Sequence, residues 1–513
     1  MEKSESRAFD LDILIIAKGA GITFVGMIIG SGLRYIFHVI VARNLGPELF
    51  GLFFLGFATF KIASILAELG LPNGVVRYVA IFNGQNDKKR VKGIIKASRN
   101  LGLQTSIIVS VLLFLFSKPI ASLLFHAPQV ASIIRFFSIS IPFATLTTIF
   151  IFATQGFKLM QYRVLVREIF EPFTRIMLLF ILTNITRKLY GVLAAYLIPS
   201  IIGTYISFLY LKKVFPEIKQ KSVRAVLEIQ KLLHFSLPLL FVQFFGLIIL
   251  WIDTLMLGFY KSTAEVGIYG AAQRTALIGS LIGTSFGAIF APIISDLFNR
   301  NEFEKLRIYF QMVAKWIFSI SFPTLLLIVL LSKQILRFFG QDFTEGSSSL
   351  IILSLGWIIY SAVGSVGQMI IMSGRQKLHL INMIVVLFSN IILNLIFIPH
   401  YGMIGAALGT SISIALFNVI ELCQVYLLFK IQPYRPDFVK PMLAGIFSFI
   451  IQWLLTHYVF IEYNFLTLAL TIFIFPITYV FFIVIFKFQE EDKIVQREIK
   501  ERVFSHKMPK ENF

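Results

Sequence analysis

The chain has 513 residues, 57% of them hydrophobic and only 14% charged, with a mean hydropathy of +0.82. Soluble globular proteins carry roughly 25% charged residues, so this chain has too little polar surface to coat a water-facing core. That excludes a soluble enzyme, a disordered scaffold and a secreted disulfide domain, and it leaves an all-α, polytopic membrane protein. The net charge of +20 would point to nucleic acid in a soluble protein. In a membrane protein, excess Lys and Arg gather in cytoplasmic loops, so no nucleic-acid partner is expected. The single cysteine, Cys423, rules out an intrachain disulfide and thiolate metal chemistry.

Helices of about 20 apolar residues cross a bilayer. In chain order the apolar runs fall at 16–42, 48–70, 93–117, 133–156, 164–184, 190–211, 234–259, 266–295, 309–332, 349–373, 379–398, 402–429, 439–459 and 464–487. That is about fourteen spans. The polar N-terminus runs into the first without a small-residue cleavage site, so an uncleaved first helix is expected. One set of loops is rich in base: Arg77, Lys88, Lys89, Arg90 and Lys92, then Lys212, Lys213, Lys219, Lys221, Arg224 and Lys231, then Arg300, Lys305 and Arg307. The opposite loops hold little beyond Arg43, Lys118, Arg135, Arg187, Lys188, Lys261, Lys333 and Arg337. The asymmetry places both termini in the cytoplasm and the chain in the cytoplasmic membrane.

The chain repeats itself at a shift of about 211–216 residues. Gly51-Leu-Phe53 recurs as Gly267-Ile-Tyr269, Asn86-Asp87 as Asn301-Glu302, and Tyr190-Gly191 as Tyr401-Gly402. Parallel repeats imply two lobes about an axis along the membrane normal, with a central cavity suited to alternating access. The expected organisation is an N-lobe over 1–211, a cytoplasmic connector helix over 212–233 and a C-lobe over 234–429. Two further spans over 430–487 and a basic cytoplasmic tail over 488–513 complete it.

The stretches ARNLGPELFGLFFLG (42–56), ELGLPNGVVRYVA (68–80), KLLHFSLPLL (231–240), IDTLMLGFYKSTAEVGIYGAAQR (252–274) and HYGMIGAALGT (400–410) resemble the oligosaccharide or polysaccharide flippases. These belong to the multidrug/oligosaccharidyl-lipid/polysaccharide exporter superfamily. The resemblance implies two six-helix lobes, two C-terminal helices, and movement of a polyprenyl-linked oligosaccharide from the inner to the outer leaflet. LPNGVVR (71–77) is also similar to the second span of the lipid II flippases, which implies a place for Arg77 near the headgroup cavity. Membrane lipids, and a glycan polymerase or glycosyltransferases, are the implied partners of a monomer without cofactor; the sequence leaves open whether H+, Na+ or the membrane potential drives it. The rival within the superfamily is a cation-coupled multidrug exporter. An enzyme is not expected, because the outer loops are short and the seven histidines form no metal spacing.

Ionisable residues inside spans are costly and usually face protein or water. Here they are Arg34, Lys61, Glu68, Arg175, Asp253, Arg274, Lys315 and Glu421. Arg34, Lys61 and Arg274 lie at comparable depth on spans 1, 2 and 8, as an anionic headgroup held between lobes would need. Arg77 is expected to attract that headgroup at the cytoplasmic entrance. Asp253 and Glu68 are candidates for a gate or a coupling ion. Asp253 could pair with Arg34 across the lobes, bind the ion, or position span 7. Arg167, Glu168, Glu171 and Arg175 read as a paired or solvated helix end. Lys315 reads as snorkelling toward the interface, and Glu421 has no partner recognisable from sequence.

Overall fold

Glycine and proline decide where the long apolar runs turn. The structure, a computed structural model, describes the backbone of residues 2–186, 188–220, 222–459 and 465–486, and their side chains outside 2–23, 457, 459 and 465–467. Arg187, Lys221 and the basic tail over 488–513 lie outside the described residues. Helix α1 (Glu2–Glu68) is two rods, because Gly46 takes φ 75°, a left-handed setting that suits glycine, and Pro47 opens the second rod. Helix α2 (Leu71–Gly84) continues that rod after a break at Gly70. Then come α3 (Lys88–Pro119) and α4 (Val130–Gly156). The short α5 (Gln161–Arg163) and a wide π-helical stretch, Val164–Phe170, lead into α6 (Glu171–Ile185) and α7 (Lys188–Val214).

The second half follows the same plan. Helix α8 (Ile229–Tyr260) is followed by α9 (Thr263–Ala276) and α10 (Ile278–Asn299), a single span interrupted at Leu277. Helices α11 (Phe303–Leu330), α12 (Ser332–Arg337), α13 (Ser347–Val363) and α14 (Val366–Met372) lead to α15 (Gln376–Phe429). This last helix turns at Gly402, φ 55°. Helices α16 (Val439–Leu454) and α17 (Phe465–Ile485) end the described chain. Among the described residues there is no strand, and eleven helical stretches are long and apolar enough to cross a membrane. Two of these, Phe24–Gly84 and Gln376–Phe429, contain the turns at Gly46 and Gly402.

The two halves touch reciprocally. A Cβ built on Gly51 would lie 1.7 Å from the Thr263 carbonyl oxygen, and one built on Gly267 would lie 2.1 Å from that of Pro47. The shift that carries Gly51 onto Gly267 also carries Pro47 onto Thr263. The same contact is therefore made in both directions, as around a two-fold axis. Tyr35 and Thr275 add a hydrogen bond of 3.0 Å between the first rod and α9. On the other side, Gly70 and Gly74 of the second rod and α2 pack on Leu232 and Ser236 of α8.

Buried side chains show where the lobes part. Toward the Gly46 turn, one core joins both halves, from Phe50 and Phe54 to Tyr269, Phe339 and Phe343. Toward the Asn86 turn the core divides in two. One cluster, including Val75, Phe82 and Ile94, belongs to the first half with Leu232 of α8; the other, including Phe290, Phe310 and Val425, belongs wholly to the second. Helix α10 scarcely touches α1 among the described residues. The molecule is closed at the Gly46 end and divided at the Asn86 end.

The segment expected as a connector helix over 212–233 is not one. Helix α7 ends at Val214, only Pro216–Ile218 makes a further short turn, and α8 starts at Ile229. The extended strap between them is bolted to the start of α3. Val226 N–H donates to the Lys89 carbonyl at 3.2 Å, Lys88 pairs with Glu217 at 2.5 Å, and Arg90 pairs with Glu228 at 3.1 Å. The Lys88 ammonium holds the Glu217 carboxyl below its ordinary range. Of the helical stretch RAVLEIQKLLHF, only IQKLLHF is helical, as the start of α8; backbone pairing and salt links hold RAVLE as part of the strap instead. At the far end, Lys315 is paired with Asp437 at 3.1 Å instead of reaching for the interface, and this link fastens α11 to the start of α16.

Candidate substrate cavity and its charged lining

The second rod of α1 presents Lys61, Ser64, Ile65 and Glu68 on one face, as the 3.6-residue period dictates. Facing it, the π-helical stretch brings Arg167 and Glu168 inward beside Glu171 and Arg175 of α6. Such widened turns concentrate at functional sites. Two adjoining cavities lie here, of about 420 and 210 Å³, and both are walled by Ile65, Glu68, Arg167 and Leu247. The larger also takes Arg163, Glu168 and, from α8, Gln243 and Leu250. The smaller is lined by Lys61, Glu171, Arg175 and Tyr196. The charged site is thus built by the first half and closed by α8 of the second.

Its charges are only partly compensated. Arg34 donates to Glu168 at 2.6 Å and to Ser31 Oγ at 3.0 Å. Arg175 pairs with Glu171 at 2.7 Å and lies over the Tyr196 ring at 3.9 Å. Arg167 donates to the Thr148 hydroxyl. Lys61 rests against Phe57 and Phe60, 5.2 and 5.8 Å from the ring centres, with no ion-pair partner among the described residues. Five cations, Arg34, Lys61, Arg163, Arg167 and Arg175, thus face three carboxylates, Glu68, Glu168 and Glu171.

Arg274 sits at the end of α9, nearer the closed end. Its guanidinium lies 4.5 Å from Trp251 and 5.1 Å from Phe54, and its buried Nε has no hydrogen-bond partner. It does not line either cavity. It shares a neighbour with them, however. His38, boxed by Phe37, Phe50, Phe54 and Phe57, has Arg34, Lys61, Arg175 and Arg274 as its charged surroundings. The structure therefore brings Arg34, Lys61 and Arg274 into one region and leaves Arg77 out of it. Arg77 is exposed on α2, stacked 4.2 Å from Phe235 at the divided end.

The expected Arg34–Asp253 pairing is not formed. Asp253, 1% exposed, accepts from the Tyr269 hydroxyl, from Gln273 at 2.9 Å, from Thr410 at 3.0 Å and from the Thr254 N–H at 2.7 Å. It ties α8, α9 and α15 together, and Arg34 instead pairs within its own half. Glu68 faces both cavities, as a candidate for a role in the pathway must. Glu421, without a recognisable partner in the sequence, is met by His379 at 2.6 Å.

Sequence reasoning missed Arg163, Arg167, Glu168 and Glu171 as cavity residues and gave Arg175 to a helix end. The available signal was density: five ionisable residues between 163 and 175, next to an apolar run, are more than one helix end needs. The Arg34–Glu168 pair is directly testable. Reversing either charge alone should cut transport, and combining Arg34→Glu with Glu168→Arg should restore most of it. Equal loss in the double variant would show that each residue acts separately.

Among the described residues no cluster of His, Cys, Asp and Glu could hold a metal ion. A two-lobed helical body, closed at one end and enclosing a charged cavity between its halves, defines a multi-pass membrane protein with a transporter fold. The profile of the family described as "Polysaccharide biosynthesis protein" matches residues 16–298, and the MatE profile matches 238–400. The chain belongs to the polysaccharide biosynthesis protein family, within the superfamily that the sequence resemblance indicated. It is similar to the "Uncharacterized membrane protein MJ1068" of Methanocaldococcus jannaschii, 22% identical over 84% of this chain and 88% of that protein. It is also similar to the "Probable low-salt glycan biosynthesis flippase Agl15" of Haloferax volcanii, 23% identical over 78% and 81%. Among solved structures, the lipid II flippase MurJ in an inward closed conformation superposes with a TM-score of 0.72 at 21% identity, over 93% of this chain and all of that one.

Proposed function

We propose that this protein moves a polyprenyl-(pyro)phosphate-linked oligosaccharide from the inner to the outer leaflet of the cytoplasmic membrane by alternating access, for assembly of cell-surface glycan. The observation that carries this reading is the surplus of arginine and lysine in a cavity between two lobes that part at one end only. A phosphate-linked sugar is anionic and too polar to cross hydrocarbon. Arginine and lysine donors replace its lost hydration with charge-assisted hydrogen bonds, while the apolar tail stays in lipid. The names of Agl15 and MurJ support the same substrate class.

In this reading the divided Asn86 end, with both termini, faces the cytoplasm, which the basic loops support. In this reading Arg77 attracts the headgroup at the mouth, and Arg34 and Lys61 receive the phosphate together with Arg163 and Arg167. Arg274 takes it over as the closed end opens. Asp253 acts at the gate by holding the α8, α9 and α15 ends as one piece. Glu68, a carboxylate inside a cationic cavity, competes with the bound phosphate for Arg167 and helps to release it. Transport needs no chemical step on the substrate. A polymerase or glycosyltransferases would consume the delivered glycan, and one copy of the chain contains the whole pathway.

Purified protein in liposomes carrying a fluorescent polyprenyl-pyrophosphate oligosaccharide should exchange it between leaflets, and Arg167→Ala should slow that exchange. Export of an organic-cation dye with no glycolipid exchange would overturn the proposal in favour of a multidrug exporter, the reading that the MatE match over the second half favours.

A further inference from the structure

The second half holds a titratable pair that the charged cavity does not use. Glu421, 1% exposed, meets His379 Nδ1 at 2.6 Å, and the imidazole is itself partly open to solvent, at 21%. The rest of the surroundings is polar but uncharged. Asn382 donates to Glu421 at 3.5 Å and exchanges hydrogen bonds of 2.7 and 2.9 Å with Gln424. Phe417 lies against the imidazole, 5.6 Å between ring centres. From the neighbouring elements, α14 contributes the backbone of Gly367, and α13 contributes Tyr360, the titratable group of that element on which Glu421 acts. No lysine, arginine or further carboxylate pairs with Glu421 among the described residues.

Position within the repeat sharpens the contrast. The shift that carries Tyr190-Gly191 onto Tyr401-Gly402 carries Glu168 onto His379 and Glu171 onto Asn382. The stretch that supplies the carboxylates of the headgroup cavity in one lobe therefore supplies an imidazole and an amide in the other, and they point at a buried carboxylate. The site sits close to the start of α15 and eight residues from its end, so His379 connects Glu421 to water on the divided side.

A mechanical connection leads away from the pair. A Cβ on Gly367 would lie 2.9 Å from Glu421 Oε2, so α14 rests directly on the carboxylate. The next residue, Gln368, and Ser365 pack on Gly287 of α10, while Tyr360 packs on Gly283 one turn earlier. Helix α14 is set off from α13 by Gly364 at φ 69°, which makes it a short separate wedge. Helix α10 is the part of span 8 that stands away from α1. A change of charge at the pair thus reaches the open seam through contiguous packed atoms.

We infer that His379 and Glu421 form a proton-binding site that sets the position of α14 and α10, so that the driving proton is handled in the second lobe and the anionic headgroup in the first. With the proton bound, the buried carboxylate faces an imidazolium and the pair is neutral. When the proton leaves through His379, a buried carboxylate keeps its charge with only a neutral imidazole and the Asn382 amide beside it, and losing the imidazolium is costly in a low-dielectric site. Movement of α14 and α10 relieves that cost. The inference rests on the transport reading for its purpose, but the motion is measurable without any substrate.

The test places spin labels at Ile28→Cys and Ile289→Cys, both exposed on the two sides of the seam, in a Cys423→Ser background. Between about pH 8 and about pH 5.5, the distance distribution should shift in the otherwise native protein. The shift should vanish in Glu421→Gln and in His379→Asn. A shift that persists in both variants overturns the assignment, as does a native distribution that ignores pH. In liposomes, the ratio of exchange rates with and without a one-unit pH gradient should fall to unity in both variants. A pH-driven shift without glycolipid exchange would instead refute the proposed function and leave the proton site standing.

Discussion

Arg274→Ala should lower glycolipid exchange on the order of 100-fold, the usual consequence of removing one desolvated charged contact, while leaving the fold at least as stable. The argument is that Arg274 costs the protein stability where it stands. A cation in a transmembrane helix costs about 2.5–3.5 kcal/mol on insertion scales. Stacking between Trp251 and Phe54 returns only part of this, and its Nε is left without a hydrogen bond. A residue held at such cost, between the lobes and close to the closed end, is placed for something that arrives. Arg274→Lys should retain a fraction of the activity, because an ammonium keeps the charge but neither stacks nor binds phosphate in two places. Thermal unfolding in detergent and leaflet exchange in liposomes separate the two effects. Native exchange by Arg274→Ala would remove this residue from the pathway.

Gly51→Ala and Gly267→Ala should each drive the molecule toward opening at the Gly46 end. The added methyl group meets a backbone carbonyl oxygen in both cases, at 1.7 and 2.1 Å. No rotamer change can make room, so the lobes themselves must separate. Overpacking of this kind costs about 1–3 kcal/mol, and the cost falls only on the closed arrangement. The ratio of closed to open molecules should therefore fall about 5- to 150-fold. A cysteine at Ala271, fully buried on α9, in a Cys423→Ser background should become reactive toward an impermeant maleimide in these variants. Unchanged reactivity would mean that the contact is not what closes this end. The two substitutions oppose each other across one contact, so their combined effect should fall short of the sum.

Hydrophobic runs of bilayer length made the class of fold legible, and the recurrence of Gly51-Leu-Phe53 as Gly267-Ile-Tyr269 made the two-lobed plan legible. Of the residues expected at the headgroup, the structure brings three into one region and leaves Arg77 outside it. Arg34, Lys61 and Arg274 share the surroundings of His38, because depth along a helix follows directly from its rise. Direction around the helix does not follow where the helix is irregular. The π-helical stretch over 164–170 rotates Arg167 and Glu168 relative to a regular helix, so these residues read as a helix end when they line the cavity. Long-range pairings were not legible either. Nothing local distinguishes Glu168 from Asp253 as the partner of Arg34, or joins Glu421 to His379 from 42 residues away. The strap before α8 failed for a different reason: its apolar residues have a helical period, but its Val226 N–H bonds the Lys89 carbonyl and its Glu228 pairs with Arg90.

The reciprocity of the Gly51 and Gly267 contact bears on how such a chain arises. What is here a contact within one polypeptide is one that two identical half-length polypeptides could make with each other, since each supplies the glycine that the other's carbonyl approaches. In such a pair every residue on one side must appear on the other, so no half could hold a cluster its twin lacked. Joining the halves end to end removes that restriction while the shared contact keeps them aligned. Glu168 and Glu171 stand where the other half has His379 and Asn382, a difference that a symmetric pair would be unable to hold.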